Sequence, residues 1–153
     1  MISMPPLSLP LQKIDTSLPV PAYAYAGDGG VDLLSVGHFE LPPFKRALVP
    51  CGISLAIPVG YAGLVIPRSG LAIKHGISLV NSPGLIDSNY RGEIKAILVN
   101  LDPKETFIIE RGDRIAQLVI IRVPEVSFKL CDDLSQTERG EEGFGSSGIS
   151  SSL

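Results

Sequence analysis

The chain has 153 residues, 44% of them hydrophobic, and a formal net charge of −3. That size describes one globular domain that buries a core without help from disulfides or a structural metal. The mild acidity excludes sequence-blind electrostatic binding of nucleic acid, and no apolar run is long enough to span a bilayer.

The N-terminal stretch reads as extended or turn structure, because Pro5, Pro6, Pro10, Pro19 and Pro21 interrupt it. Residues 1–11 carry no basic segment ahead of an apolar one, so no export signal is expected and the location reads as cytoplasmic. Cys51 and Cys131, which lack metal-ligand spacing, then read as reduced thiols.

Strand signals dominate the body. Residues 48–57, 63–66, 77–80, 93–100, 106–109 and 115–123 are short, β-branched and bounded by Gly, Pro, Asn or Asp. Prolines open turns at Ile57-Pro58-Val59-Gly60 and Leu101-Asp102-Pro103-Lys104. This spacing predicts an all-β sandwich or barrel of antiparallel strands. One short helix is expected, with Ser69 as its cap, Leu71, Ala72 and Ile73 inside it, and Gly76 ending it. His38 and His75 read as surface or loop residues, Tyr23, Tyr25 and Tyr61 as packing, and Lys13, Lys45 and Lys74 as solvated charges. From Ser135 onward the chain turns polar and glycine-rich, the composition of a disordered end. Arg139, Phe144 and the Ser146-Ser147 pair stand among those glycines, a set able to clasp a phosphate and a flat ring.

Three clusters carry chemistry. Arg68-Ser69-Gly70 at a helix start suits an anion, through unpaired N–H groups and a two-pronged guanidinium, although plain helix capping accounts for it equally. In the loop 81–93, Asp87 lies between Ile86 and Tyr90. A carboxylate beside an apolar wall can take a proton from water, and the competing reading is an ordinary turn through Asp87-Ser88-Asn89. In 111–118 a charged turn enters an apolar strand whose one uncharged polar residue is Gln117. The tripeptide Arg111-Gly112-Asp113 is too short to read as an adhesion signal.

In order along the chain, these clusters resemble the five motifs of the trimeric dUTPase family. The first is Ala26-Gly27-Asp28-Gly29-Gly30-Val31-Asp32-Leu33 and the second Pro67-Arg68-Ser69-Gly70-Leu71-Ala72. The third spans residues 81–93, the fourth 111–118, and the fifth runs from Arg139 to Gly148. The resemblance implies a distorted jelly-roll β-domain (1–134) and a C-terminal arm (135–153) exchanged between subunits of a homotrimer. It implies hydrolysis of dUTP to dUMP and pyrophosphate with Mg²⁺, which limits uracil in DNA and supplies dUMP for dTMP synthesis. Asp87 would activate the water that attacks the α-phosphate in line. Tyr90 would pack under the sugar and reject a 2′-hydroxyl, and Asn81, Gly84 and Ile86 would form the uracil pocket. Arg68, Ser69, Gly70 and Gln117 would hold the phosphates. Arg139, Gly145, Ser146 and Ser147 would close over them while Phe144 stacks on the base, and Asp32 would orient Mg²⁺ through water.

Two positions depart from the family pattern. Gly29-Gly30-Val31 is smaller than usual, a change of packing, and Glu142 stands at a common glycine and is expected to point to solvent. Two other readings compete: a dCTP deaminase or bifunctional deaminase on the same fold, and a non-catalytic trimeric β-sandwich that binds a partner.

Overall fold

The computed structural model of the chain describes residues 7–143. Strands β1 (Leu11–Lys13) and β5 (Ile53–Leu55) pair with each other, as do β3 (Phe39–Leu41) and β10 (Phe107–Ile109). A four-stranded sheet runs in the order β2 (Val31–Leu34), β11 (Arg114–Arg122), β6 (Tyr61–Ile66) and β8 (Gly84–Ile86). A three-stranded sheet runs β4 (Arg46–Pro50), β9 (Lys95–Asn100) and β7 (Ile77–Leu79). All pairings are antiparallel. The all-β class and the single short helix, α1 (Ser69–His75), match the sequence reading.

The two larger sheets feed one core. In β9 the alternation buries Ala96, Leu98 and Asn100 and turns Lys95 to solvent. Ala96 and Leu98 join Val65 and Leu118 of the other sheet, with Leu33, Val49, Ile77, Ile94 and Ile115, in one buried cluster. Each fully buried aliphatic side chain contributes about 1.5–3 kcal/mol. β11 breaks its alternation at a register shift between Arg114 and Ala116, which buries Ile115 and Ala116 in succession. Asn100, the largest buried polar side chain, is fully engaged. Its Nδ2 donates to the Leu41 and Glu105 carbonyls at 2.8 Å each, and its Oδ1 accepts the Asp102 N–H at 2.9 Å.

The expected strand 48–57 is two strands. Gly52 divides it at φ +71°, where a Cβ would lie 2.8 Å from Asp15 Cβ. Its carbonyl accepts the N–H groups of both Ile14 and Asp15, so the N-terminal segment is fastened where β4 ends. Helix α1 also differs from expectation at its start. Arg68 is the extended cap residue and makes no side-chain cap bond, so Ser69 is the first helical residue. Gly76 closes the helix in the left-handed region at φ 65°, as expected. Tyr23 and Tyr25 are exposed, contrary to the packing role expected of them, whereas half-buried Tyr61 accepts from Arg122 Nε at 3.2 Å and lies under its guanidinium. His38 is exposed, and the neighbouring Glu110 carboxylate, 3.1 Å from Nδ1, raises its pKa.

Arg111 is a structural residue. Its guanidinium sits 2.6 Å from Asp15 Oδ2 and donates to Ser17 Oγ and the Val36 carbonyl, so the Arg111-Gly112-Asp113 turn locks the N-terminal segment onto the body. That hydrogen bond to Arg111, reinforced by the Ser17 hydroxyl, holds the Asp15 carboxyl well below its ordinary 3.8. A carboxylate with a depressed folded pKa stabilises the fold above its unfolded pKa, and that contribution is lost as acidity rises through the folded value. Asp15→Asn is therefore expected to lower the urea midpoint at neutral pH. The gap to the parent should narrow as pH drops from about 5 to about 2.

Candidate functional site

The local backbone brings most of the third cluster to one cleft. β8 lies against β6 with Gly84 opposite Val65 and Ile86 opposite Gly63. A Cβ on Gly63 would come within 3.2 Å of Ile86 Cβ and 3.1 Å of Leu118 Cδ1, so the missing side chain is what lets β8 approach. The chain leaves β8 at Asp87 and turns through Ser88 and Asn89, and Tyr90 N–H closes the turn on the Asp87 carbonyl at 3.1 Å. Arg91 Nη1 braces that turn, donating to the Ser88 and Tyr90 carbonyls at 2.8 Å each. Tyr90 Oη donates to the Glu93 carbonyl at 3.0 Å, and Glu93 Oε1 accepts the Gly52 N–H at 2.9 Å.

The result is an open cleft of about 400 Å³ lined by Asn81, Gly84, Ile86, Asp87 and Tyr90, with Val65, Leu79 and Ile97 among its apolar walls. Asp87 and Tyr90 are both exposed. A carboxylate, an amide and a phenol thus face a largely apolar hollow, which can seat a flat ring and present a proton acceptor beside it.

The second group of predicted residues gathers elsewhere. Gln117 on β11 stands opposite Asp32 of β2 and Ile66 of β6, and Pro67-Arg68 follows directly from β6. Arg68 Nε lies 3.1 Å from Asp32 Oδ1, Arg114 Nε lies 3.5 Å from Asp32 Oδ2, and Arg68 Nη1 donates to the Arg114 carbonyl at 3.0 Å. Asp32 Oδ1 is at ion-pair distance from Arg68 yet is buried with no aligned hydrogen bond. Arg68 and Arg114 line a hollow of about 460 Å³ beside Leu71, His75 and Phe107. It shares no lining residue with the Asp87 cleft. One chain therefore does not bring the predicted set together: Arg68 lines this hollow, and Asp32 a third one with Leu34, Gly112 and Arg114. Ser69 and Gly70 are exposed at the start of α1. Gly30 packs β2 tightly, since a Cβ there would meet Leu118 O and Val119 Cγ2 at 3.1 Å, while nothing approaches Gly29. Arg139 donates from Nε to the Glu142 carbonyl at 2.9 Å, and Glu142 is exposed. Phe144, Gly145, Ser146 and Ser147 lie outside the described residues.

Three features of the site were not read from the sequence. Glu93 is tied to Gly52 and Tyr90 rather than to Arg91, Arg114 joins the Asp32–Arg68 pair, and Gly92 lies against the Tyr90 ring. None is signalled by a local pattern, because each depends on a contact that only the folded chain creates.

The family model described as dUTPase matches residues 16–148. The chain belongs to the dUTPase family. Among dUTPase relatives, the deoxyuridine 5'-triphosphate nucleotidohydrolase of Mycobacterium sp. (strain JLS) is 56% identical over 95% of this chain and 98% of its own length. That of Streptomyces avermitilis is 51% identical over 94% of this chain and 82% of its own. A solved dUTPase mutant of Staphylococcus bacteriophage 80alpha with dUpNHpp superposes at a TM-score of 0.84 with 28% identity. That superposition covers 93% of this chain and 99% of the phage protein. The family is one of hydrolases, and the architecture here is its jelly-roll of antiparallel strands.

The Glu93–Gly52 tie gives a test of how the site is anchored. Glu93→Gln keeps an acceptor and should melt close to the parent. Glu93→Ala leaves the Gly52 N–H without its partner and should cost about 1–3 kcal/mol in denaturant unfolding.

Proposed function

We propose that this dUTPase-family chain hydrolyses dUTP to dUMP and pyrophosphate, with Asp87 as general base. The observation that carries the reading is the turn from Asp87 to Tyr90, which sets a carboxylate and an aromatic ring on the rim of the cleft that also holds Asn81. The relatives' name supports the substrate, since they are called deoxyuridine 5'-triphosphate nucleotidohydrolases. Asp87 takes a proton from a water molecule, whose oxygen bonds to the α-phosphorus as the bond to the bridging oxygen breaks and pyrophosphate departs. Asn81 and the backbone around Gly84 and Ile86 read the uracil edge. Fixed polar groups of this kind penalise a wrong base by leaving partners unpaired. Tyr90 forms the floor under the deoxyribose.

Arg68, Ser69, Gly70 and Gln117 hold phosphate oxygens, with Arg139 and the 144–147 stretch closing over them. Because the Asp87 cleft and the Arg68 hollow are separate within one chain, a second copy must bring them together. The segment after β11 supports such an assembly. Residues 123–143 carry neither strand nor helix, and Val126, Phe128 and Leu130 are 63%, 95% and 97% exposed at alternate positions. Alternating apolar side chains in an extended stretch require a surface to cover them. A neighbouring subunit of a homotrimer supplies it, and the arm continues from there to that neighbour's site.

The residues also fit Mg²⁺. No cluster of three or more His, Cys, Asp or Glu exists among the described residues, which rules out a cage made of protein ligands alone there. Asp32, however, has a buried oxygen without a hydrogen bond, and Mg²⁺ binds through one or two carboxylates with water and substrate phosphates completing its shell. When bound, the ion offsets phosphate charge. Asp32 is the residue that would hold it through water. No helix of the described residues is long and apolar enough to cross a membrane, and the cytoplasm is the proposed location.

Pyrophosphate release should be fast from dUTP with Mg²⁺ and slow from UTP, dCTP and dTTP; ammonia release from dCTP would instead favour the deaminase. Asp87→Asn should cut dUTP turnover about 100- to 10,000-fold with dUTP affinity kept. Near-parental hydrolysis by that variant would overturn the mechanism. Truncation after Leu134 is expected to leave the assembly intact and lower turnover, whereas truncation after Arg122 should also shift sedimentation toward smaller species.

A further inference from the structure

Gly92 has no conformational reason to be glycine. Its φ lies outside the left-handed region that glycine alone tolerates, unlike Gly52, Gly76 and Gly112. What excludes a side chain is the Tyr90 ring: a Cβ on Gly92 would lie 2.6 Å from Tyr90 Cζ and 3.0 Å from Cε2. The main chain around Tyr90 has little freedom to give way, whereas Tyr90 itself is 42% exposed and its ring can move. Its hydroxyl is tied to the Glu93 carbonyl, its own carbonyl is braced by Arg91, and the Glu93 carboxylate is anchored on Gly52. A methyl group at position 92 must therefore tilt or lift the ring that lines the Asp87 cleft.

We propose that Gly92 is a specificity-determining position, setting the plane of Tyr90 and through it the discrimination between deoxyribose and ribose. This rests on the reading of Tyr90 as the floor of the sugar site. Gly92 touches neither sugar nor phosphate, so it is a positioning residue. A displacement of the ring matters at this point because packing alone rejects an added hydroxyl by only about 100-fold, so a small loss of contact forfeits much of the discrimination.

The test compares kcat/KM for dUTP and UTP in the parent, Gly92→Ala, Tyr90→Ala and the double variant, with thermal melts of all four. Gly92→Ala is expected to reduce the dUTP-to-UTP preference by at least about tenfold, and adding it to Tyr90→Ala should change that preference no further. Equal losses on both nucleotides in Gly92→Ala, with the preference kept, would show a merely structural role and overturn the proposal. If Gly92→Ala does not fold, recovery of a cooperative melt in the double variant supports the ring as the obstacle, and its absence overturns it. Should Tyr90→Ala itself keep full preference for dUTP, the sugar-floor reading fails. Loss in Tyr90→Ala with no loss in Gly92→Ala rejects Gly92 alone.

Discussion

Glu93 is pulled in two directions, and the geometry of the cleft depends on that tension. Its side chain accepts the Gly52 N–H from the crossing between β4 and β5, while its carbonyl accepts the Tyr90 hydroxyl. Gly52 in turn receives Ile14 and Asp15 through its carbonyl, and Asp15 is held by Arg111. A continuous series of polar contacts thus runs from the N-terminal segment, through a glycine too crowded for any side chain, to the aromatic ring beside Asp87. The loop that carries Asp87 and Tyr90 is exposed, as loops that bind ligands generally are. It is nevertheless held at its far end by the Glu93 contact to Gly52.

Charge is distributed just as unevenly. A chain with a net charge of −3 must receive a polyanion, and it does so by local concentration. Asp113 lines the same hollow as Arg68 and Arg114, whose guanidiniums flank the carboxylate of Asp32. The carboxylate keeps the two guanidiniums from repelling each other, and its unaligned oxygen stays available to a hydrated cation. This hollow shares no lining residue with the Asp87 cleft, whose own wall includes Lys95 and Glu93.

Much of this was legible in the sequence. The strands at 63–66, 77–80 and 106–109 announced themselves by β-branched runs between turn residues, and Gly76 marked the end of α1 in its observed conformation. What escaped had physical reasons. The run 48–57 looks continuous because its break comes from a left-handed glycine whose carbonyl is claimed by a segment about forty residues earlier, a contact with no local trace. β2 and β8 are only four and three residues long and each contains one turn-favouring residue, Asp32 and Gly84, so propensity alone misses them. Ser69 looks like a cap because serine favours that role, yet Arg68 is the extended cap residue as the chain leaves β6, and the helix begins one residue earlier than a Ser69 cap would place it. For the site, the motifs singled out residues, but periodicity carried no hint that one chain would place Asp87 and Arg68 in separate hollows. Tyr23 and Tyr25, read as packing, are exposed, since an aromatic side chain carries no local mark of whether the folded chain will cover it.

The two thiols divide along the same line between body and tail. Cys51 is buried where β4 meets Gly52, and desolvation pushes its pKa up to about 12, whereas Cys131 is exposed in the segment beyond β11. Thiolate, not thiol, reacts with oxidants and alkylating reagents. Toward such reagents the folded chain behaves as a protein with one cysteine. Modification of the other can proceed only when the crossing at Gly52 opens, so its rate is a clock for that opening, written into the core beside the contacts that hold the Asp87–Tyr90 loop.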